Sequence, residues 1–393
     1  MKPWSVWLFL SLILLLTLFM LINPGETVNA AGSGLKLWYS TIVPALLPFF
    51  IVTELLISIH FVKLLGVILE PIMRPVFRLP GCSSLVVVMG FTSGFPMGAV
   101  LCSRLYEQHL LTREEVQRLV SFTNNCSPLF IIGAVGMGMF NSATIGYLLA
   151  AAHYLSNLGV GLLWSVLNND RIRITSSKSH QQLISNAFKE FIAANRLNVG
   201  GIGQLMGNAI SKSVGTLLSI AGFIVLFSVL ARMLTVWGVL DKLAHIFVYI
   251  FGFCGISYQH GYSLATGLFE ITIGLKTLIT FSPDSSLINL IIASTILSFS
   301  GLSIITQVMS VIAEIHIRWS FYLLSRLLQM IIATVITIIG YYLVIINNSV
   351  QSFTIPVYKV LYAIDAWSWS IYCFITGCSI IAIMTVIGLL YRD

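Results

Sequence analysis

Two polar interruptions of apolar sequence, each with a companion in the next apolar segment, hold the residues that could do chemistry. In the first, Thr92-Ser93-Gly94-Phe95-Pro96-Met97-Gly98, Pro96 has no backbone N–H and turns Phe95 away from helix. Gly94 and Gly98 permit a tight turn and close backbone approach. A second arm starting near Pro96 would present a helix N-terminus, whose unpaired N–H groups and partial positive charge hold a carboxylate or phosphate without a lysine. Asn124, Asn125, Ser127 and the carbonyls freed by Pro128 would face that tip as uncharged donors and acceptors. The chemistry is recognition of a small anion, not bond cleavage.

The second pair differs. Gly267-Leu268-Phe269-Glu270-Ile271-Thr272 places a carboxylate at the tip of a hairpin, and an intramembrane acid is a functional candidate by default. Glu270 could bind a coupling proton or Na+, accept a hydrogen bond from substrate, or pair structurally with Lys276. Thr272, Ser300, Gly301, Ser303 and Gln307 would complete this half, with Gly267 supplying close approach. Irregular backbone survives at membrane depth only inside protein or around a water-filled cavity. Matching interruptions in two halves of a chain are a pointer to a transporter's binding site.

The elements that must position these residues are membrane helices. Of 393 residues, 57% are hydrophobic and 9% charged, against about 25% charged in soluble domains, so no sizeable soluble domain fits. Eight stretches approach the roughly 20 apolar residues needed to span a bilayer: 4–22, 37–59, 116–139, 145–167, 214–234, 287–312, 323–346 and 367–390. With the N-terminus cytoplasmic, only Lys36, Arg232, Lys242, Lys276 and Lys359 of the 21 basic residues fall outside. The net charge of +7 is then topological bias with attraction to anionic lipid, and no aromatic-interleaved basic patch suggests nucleic acid. The N-terminal segment also resembles a signal peptide ending at Val28-Asn29-Ala30, although its apolar run is long for one and a retained helix is expected. Six cysteines without metal spacing predict no disulfide, metal or other cofactor, and an oligomer is compatible with the sequence. No Ser–Lys, paired-Asp or His-x-x-x-His constellation marks an enzyme.

Three charged sets have simpler readings. Glu54, toward the cytoplasmic end of its helix, is expected to pair with Lys63 or a hairpin N–H, or to serve the site. Arg104 and Arg113–Arg118 belong to a short cytoplasmic loop. Glu314, His316 and Arg318 are expected to be solvated, and Arg326 counts among the cytoplasmic charges.

A shift of 173 positions lays one half over the other: Phe50-Ile51-Val52 on Phe223-Ile224-Val225, Gly94 on Gly267, Ser127 on Ser300. The organisation expected is a helix and outer loop (1–34), a first repeat (35–167) with hairpin 84–104, and a basic linker (168–212) with an amphipathic helix near 181–195. A second repeat (213–346) with hairpin 255–280 and a C-terminal loop and helix (347–393) follow. The hairpins enter from opposite sides, so the repeats are antiparallel and the site lies near the midplane.

Ser93-Gly94-x-Pro96-x-Gly98-Ala99, Thr112-x-Glu114-Glu115, Asn124-Asn125-x-x-Pro128-Leu129-Phe130 and Gly133-Ala134-Val135-Gly136 resemble the signature of the YlbJ family of sporulation integral membrane proteins, which carry a nucleoside-recognition or Gate domain. Gly267-x-x-Glu270-x-Thr272-x-Gly274 and Ser298-Phe299-Ser300-Gly301-Leu302 are similar to family features. The resemblance implies a protein of the outer forespore membrane, made in the mother cell, that moves dipicolinic acid toward the forespore. It also implies a distant likeness to concentrative nucleoside transporters, whose two hairpins and two broken helices hold substrate. The expected fold is thus an all-α polytopic membrane protein of about eight transmembrane helices, with two re-entrant hairpins in an inverted repeat. Where those transporters carry an acid in the first hairpin, this chain has Pro96-Met97, which suits a planar dicarboxylate better than a ribose. A nucleoside, another small anion, or a non-transporting scaffold for the spore envelope are the alternatives.

Overall fold

The computed structural model describes residues 3–167, 188, 192, 201–282 and 286–346, and among them all regular structure is helical. Helix α1 (Pro3–Ile22) leads through a 109° bend at Asn23 into α2 (Pro24–Leu37). Where a loop was expected after residue 22, the chain is therefore helical. Pro24 starts the helix without wasting a donor. The Thr27 and Ser33 hydroxyls donate to the carbonyls of Asn23 and Asn29 at 3.0 and 2.8 Å. Gly34 lets α2 lie on α9 (Ile202–Val236), since a side-chain carbon there would stand 2.7 Å from Ser228 Oγ. Arg232 of α9 closes the pair by donating to Glu26 at 2.6 Å.

After a π-helical turn, Trp38–Ile42, come α3 (Val43–Ser58), α4 (Phe61–Phe77) and the first hairpin, α5 (Ser83–Thr92) with α6 (Met97–Glu107). Helix α7 (Arg113–Thr123) starts with a capping box between Thr112 and Glu115. It stops at Asn124, whose φ of −90° and ψ of 100° are extended. The chain resumes as a π-helical segment, Leu129–Met139, then α8 (Ala143–Leu167). Beyond α9 lie α10 (Val239–Phe251), the second hairpin of α11 (Tyr258–Phe269) and α12 (Ile271–Phe281), α13 (Leu287–Phe299), α14 (Gly301–Val311) and α15 (Trp319–Gly340).

Four stretches are long and apolar enough to cross a bilayer: Ala143–Leu167, Ile202–Val236, Leu287–Val311 and Trp319–Ile345, or five if the bent pair α1–α2 is one span. The expected count of about eight is not reached among the described residues. The run 37–59 is interrupted by the π turn. The run 116–139 is cut by Asn124–Pro128, and the 11 residues of α7 cover only about 16 Å at 1.5 Å each. The run 367–390 lies outside the described residues, as does the linker helix apart from positions 188 and 192. Helix α9 begins at Ile202, ten residues before the expected end of the linker at 212, and Ala209 and Ser213 bury one face.

From the first hairpin onward the elements recur in order. Starts at 83, 97, 113, 129 and 143 have counterparts at 258, 271, 287, 301 and 319, offsets of 175, 174, 174, 172 and 176. Of the three apolar cores among the described residues, the two larger each draw on both halves. One gathers hairpin α5–α6 and α7 with Ile305, Val308 and Met309 of α14. The other gathers Ile131 and Val135 of the π segment and Leu149 of α8 with Leu275 and Leu297 of α12 and α13.

Candidate functional site

Gly94 makes the first turn with φ of +95°, in the left-handed region that glycine tolerates. A side-chain carbon on it would meet Ser127 N at 3.0 Å, so the hairpin tip sits directly on the first break. Gly98 and Gly90 bring both arms onto the Thr123 carbonyl, which a side-chain carbon would approach to 2.6 and 2.1 Å. Pro96 follows Phe95 through a cis peptide, and α6 starts at the next residue. Its third N–H, of Ala99, donates to Asn124 Oδ1 at 3.0 Å, so protein already occupies part of the N-terminus expected to face a ligand. Asn124 Nδ2 returns to the Val120 carbonyl at 2.9 Å. Ser127 Oγ accepts from Phe130 N at 3.2 Å and caps the π segment. Ser93 Oγ and Asn125 Oδ1 are buried without a partner.

The second tip is tighter. One residue, Glu270, separates the arms, with φ of −146° and ψ of 126°, and its Oε2 accepts from Ile273 N at 2.7 Å. Glu270 is thus the N-cap of α12, next to Thr272. The alternative partner Lys276 is exposed and forms no ion pair with it. Gly267 and Gly274 let the arms cross, since a side-chain carbon on Gly274 would reach Gly267 Cα at 2.4 Å. The second break uses left-handed backbone at Ser300 and Gly301, with φ of 73° and 68°. A side-chain carbon on Gly301 would stand 3.2 Å from the carbonyls of Gly267 and Phe269, repeating the tip-on-break contact of Gly94 and Ser127. Ser303 Oγ accepts from Gln307 Nε2 at 3.2 Å.

The structure adds a buried network of Arg326, His153, Asn157 and Gln329 to this set. Arg326 is not a cytoplasmic surface charge: it is fully buried on α15. Its Nη1 donates to the Asn124 carbonyl at 3.2 Å, and its Nη2 donates to the Ser121 carbonyl and, at 3.1 Å, to Asn157 Oδ1. The Tyr322 ring lies 5.3 Å from the guanidinium carbon. His153 of α8, also buried, accepts from Cys126 N at Nε2, 3.1 Å away. An accepting Nε2 leaves the proton on Nδ1, which faces the Gln329 amide at 3.4 Å. That amide then presents its oxygen to Nδ1, giving Gln329 Oε1 a partner. Asn157 Nδ2 donates to the His153 carbonyl at 3.1 Å, closing the network. His153 and Arg326 lie 173 apart, but α8 and α15 start 176 apart, so the repeat does not pair them and does not mark either as buried.

Near one end of α3, Glu54 pairs with Arg104 of α6 at 2.9 Å and with Lys212 at 4.0 Å, not with a hairpin N–H. Glu54 and Arg104 border a small cleft with Thr53, Ser213 and Thr216. Glu314, His316 and Arg318 are exposed as expected, and Arg113 and Gln117 of α7 hold this turn through the His316 carbonyl and Arg318 N.

A family model described as nucleoside recognition, the Gate domain, matches residues 39–166, which is α3 to α8 with the first hairpin and first break. The sporulation integral membrane protein YlbJ of Bacillus subtilis (strain 168) is 40% identical over 338 residues, covering 84% of this chain and 81% of that protein. This chain belongs to the YlbJ family. No solved structure matches it. The Gate match holds Gly94, Asn124 and His153 but ends before Arg326, so the network joins the matched region to chain beyond it.

Proposed function

We propose that this protein is a membrane carrier that moves dipicolinate, or a similar small anion, from the mother-cell cytoplasm across the outer forespore membrane. The observation that carries the reading is the repeated seating of a hairpin tip on a helix break. Gly94 lies on Ser127 in the first half, and Gly301 lies on Gly267 and Phe269 in the second. Two such interrupted pairs, with each half's second broken arm packed into the other half's core, are the arrangement from which alternating access is built. Membership of a family of sporulation membrane proteins supplies the setting. In this reading the halves are antiparallel repeats, the described helices are the larger part of an eight-span protein similar to concentrative nucleoside transporters, and Ser93, Asn125, Glu270, Thr272 and Ser300 border the substrate's path.

The description of the matched domain favours one rival substrate class, the nucleosides. Purified protein in lipid vesicles is expected to take up labelled dipicolinate saturably, with unlabelled dipicolinate but not uridine or adenosine competing. Competition by nucleosides alone would move the assignment to that class. A lack of flux with either would leave a non-transporting envelope scaffold as the better account.

A further inference from the structure

The geometry points to Arg326 as the residue that recognises the substrate's carboxylate, exchanging its bonds to the first broken helix for bonds to the anion. The inference rests on the carrier reading and deepens it to one charged group. Arg326 lies two turns into α15, about 10 Å from its start at 1.5 Å per residue. Among the described residues no carboxylate pairs with it: the ion pairs join Glu70 to Arg74, Glu54 to Arg104 and Lys212, Glu107 to Arg104, and Glu26 to Arg232. A guanidinium taken out of water without a counter-charge is costly, and truncating it to a neutral amide would remove that cost. Holding the Ser121 and Asn124 carbonyls requires N–H donors only, not a charge. The Nε–H, moreover, is buried and has no acceptor.

What a charge adds is affinity for an anion. The guanidinium's fork matches a carboxylate bidentately, in water-excluded surroundings where such bonds are strongest. Its present acceptors, Ser121, Asn124 and Asn157, all belong to the first half, whereas Arg326 belongs to the second. Movement between the halves breaks these bonds and would strand the charge unless a carboxylate takes their place. Bound anion therefore releases the clamp, and the empty carrier stays shut. Neutral nucleosides could not do this.

The test uses full-length protein in detergent and in lipid vesicles, with dipicolinate, its neutral diamide pyridine-2,6-dicarboxamide, and three forms: wild type, Arg326→Lys and Arg326→Gln. Dipicolinate is expected to raise the unfolding temperature of wild type, and Arg326→Gln is expected to bind it about tenfold more weakly or worse, a step of about 1.4 kcal/mol. Arg326→Lys should fall between them, and Arg326→Gln should shift selectivity toward the diamide. Arg326→Gln that binds and carries dipicolinate like wild type overturns the inference and leaves the carrier reading standing. An equal loss for dipicolinate and diamide, or failure of both variants to fold, also overturns it, because Arg326 is then a clamp alone. Arg326-dependent binding without flux keeps the anion site and removes the carrier. Neither binding nor flux in wild type removes both.

Discussion

His153 and Arg326 reach the same broken segment from α8 and α15, and they divide its backbone between them. The histidine takes the N–H of Cys126, and the arginine takes the carbonyls of Ser121 and Asn124. His153→Leu would leave that N–H buried without an acceptor, a loss of about 1–3 kcal/mol. Thermal unfolding in detergent should show the loss, with His153→Gln recovering part of it; a His153→Leu protein as stable as wild type would refute the role. Glu270 invites a different comparison, because its oxygen caps Ile273 N. Glu270→Gln keeps an acceptor there and should accumulate normally, whereas Glu270→Leu should lose about 1 kcal/mol as a missing cap. Lys276→Met should change neither protein, and rescue of a Glu270 variant by it would restore the ion-pair alternative. At this scale the sequence was only half legible. Gly94, Asn124 and Glu270 announce themselves because their types conflict with apolar helix. Arg326 does not, since an arginine near the end of an apolar run reads equally well as a topology charge, and only packing shows it turned inward.

Among the elements, the breaks were legible and the close contacts that exploit them were not. Pro96, Pro128, Gly94 and Gly301 each violate helix locally, and the observed hairpins, 83–107 and 258–281, lie within three residues of the expected ends. Helix α2 escaped because its polar, glycine-containing sequence has low intrinsic helicity and is helical here through packing on α9. The glycines of hairpin 1 are explained in this structure by arm-to-break contact, which yields a graded expectation. Gly90→Ala forces a carbon to 2.1 Å from the Thr123 carbonyl, a backbone atom that cannot turn aside, and overpacking of this kind costs about 1–3 kcal/mol. Gly222→Ala on α9 meets nothing within 4 Å and should be neutral or stabilising, by up to about 1 kcal/mol, through helix propensity. Comparing the two by unfolding midpoint and membrane abundance checks the packing directly. Equal behaviour would mean that the arms of the hairpin are not pressed on the break.

At the scale of the whole molecule, the two halves interlock: α14 enters the core around the first hairpin, and the π segment enters the core around the second. Such cross-packing lets a rigid-body movement of one half change the surroundings of both breaks together. Whether that movement alternates access depends on the hairpins entering from opposite faces, which the distribution of basic residues implies and which cysteine chemistry can measure. Cys82, Cys102 and Cys126 are buried, whereas Cys254, at the entrance to the second hairpin, is exposed. In a protein carrying Cys373→Ser and Cys378→Ser, a membrane-impermeant maleimide added to intact vegetative cells is expected to label Cys254. Gln108, exposed at the far end of the first hairpin, supplies the opposite reporter. With Cys254→Ser and Gln108→Cys added, the same reagent should label nothing until the membrane is opened. Labelling of both positions from outside, or of neither until opening, would place the hairpins on one face. The repeats would then be parallel and the midplane site would be lost, while the clamp of Arg326 on Asn124 would remain as a feature of a protein that does not alternate.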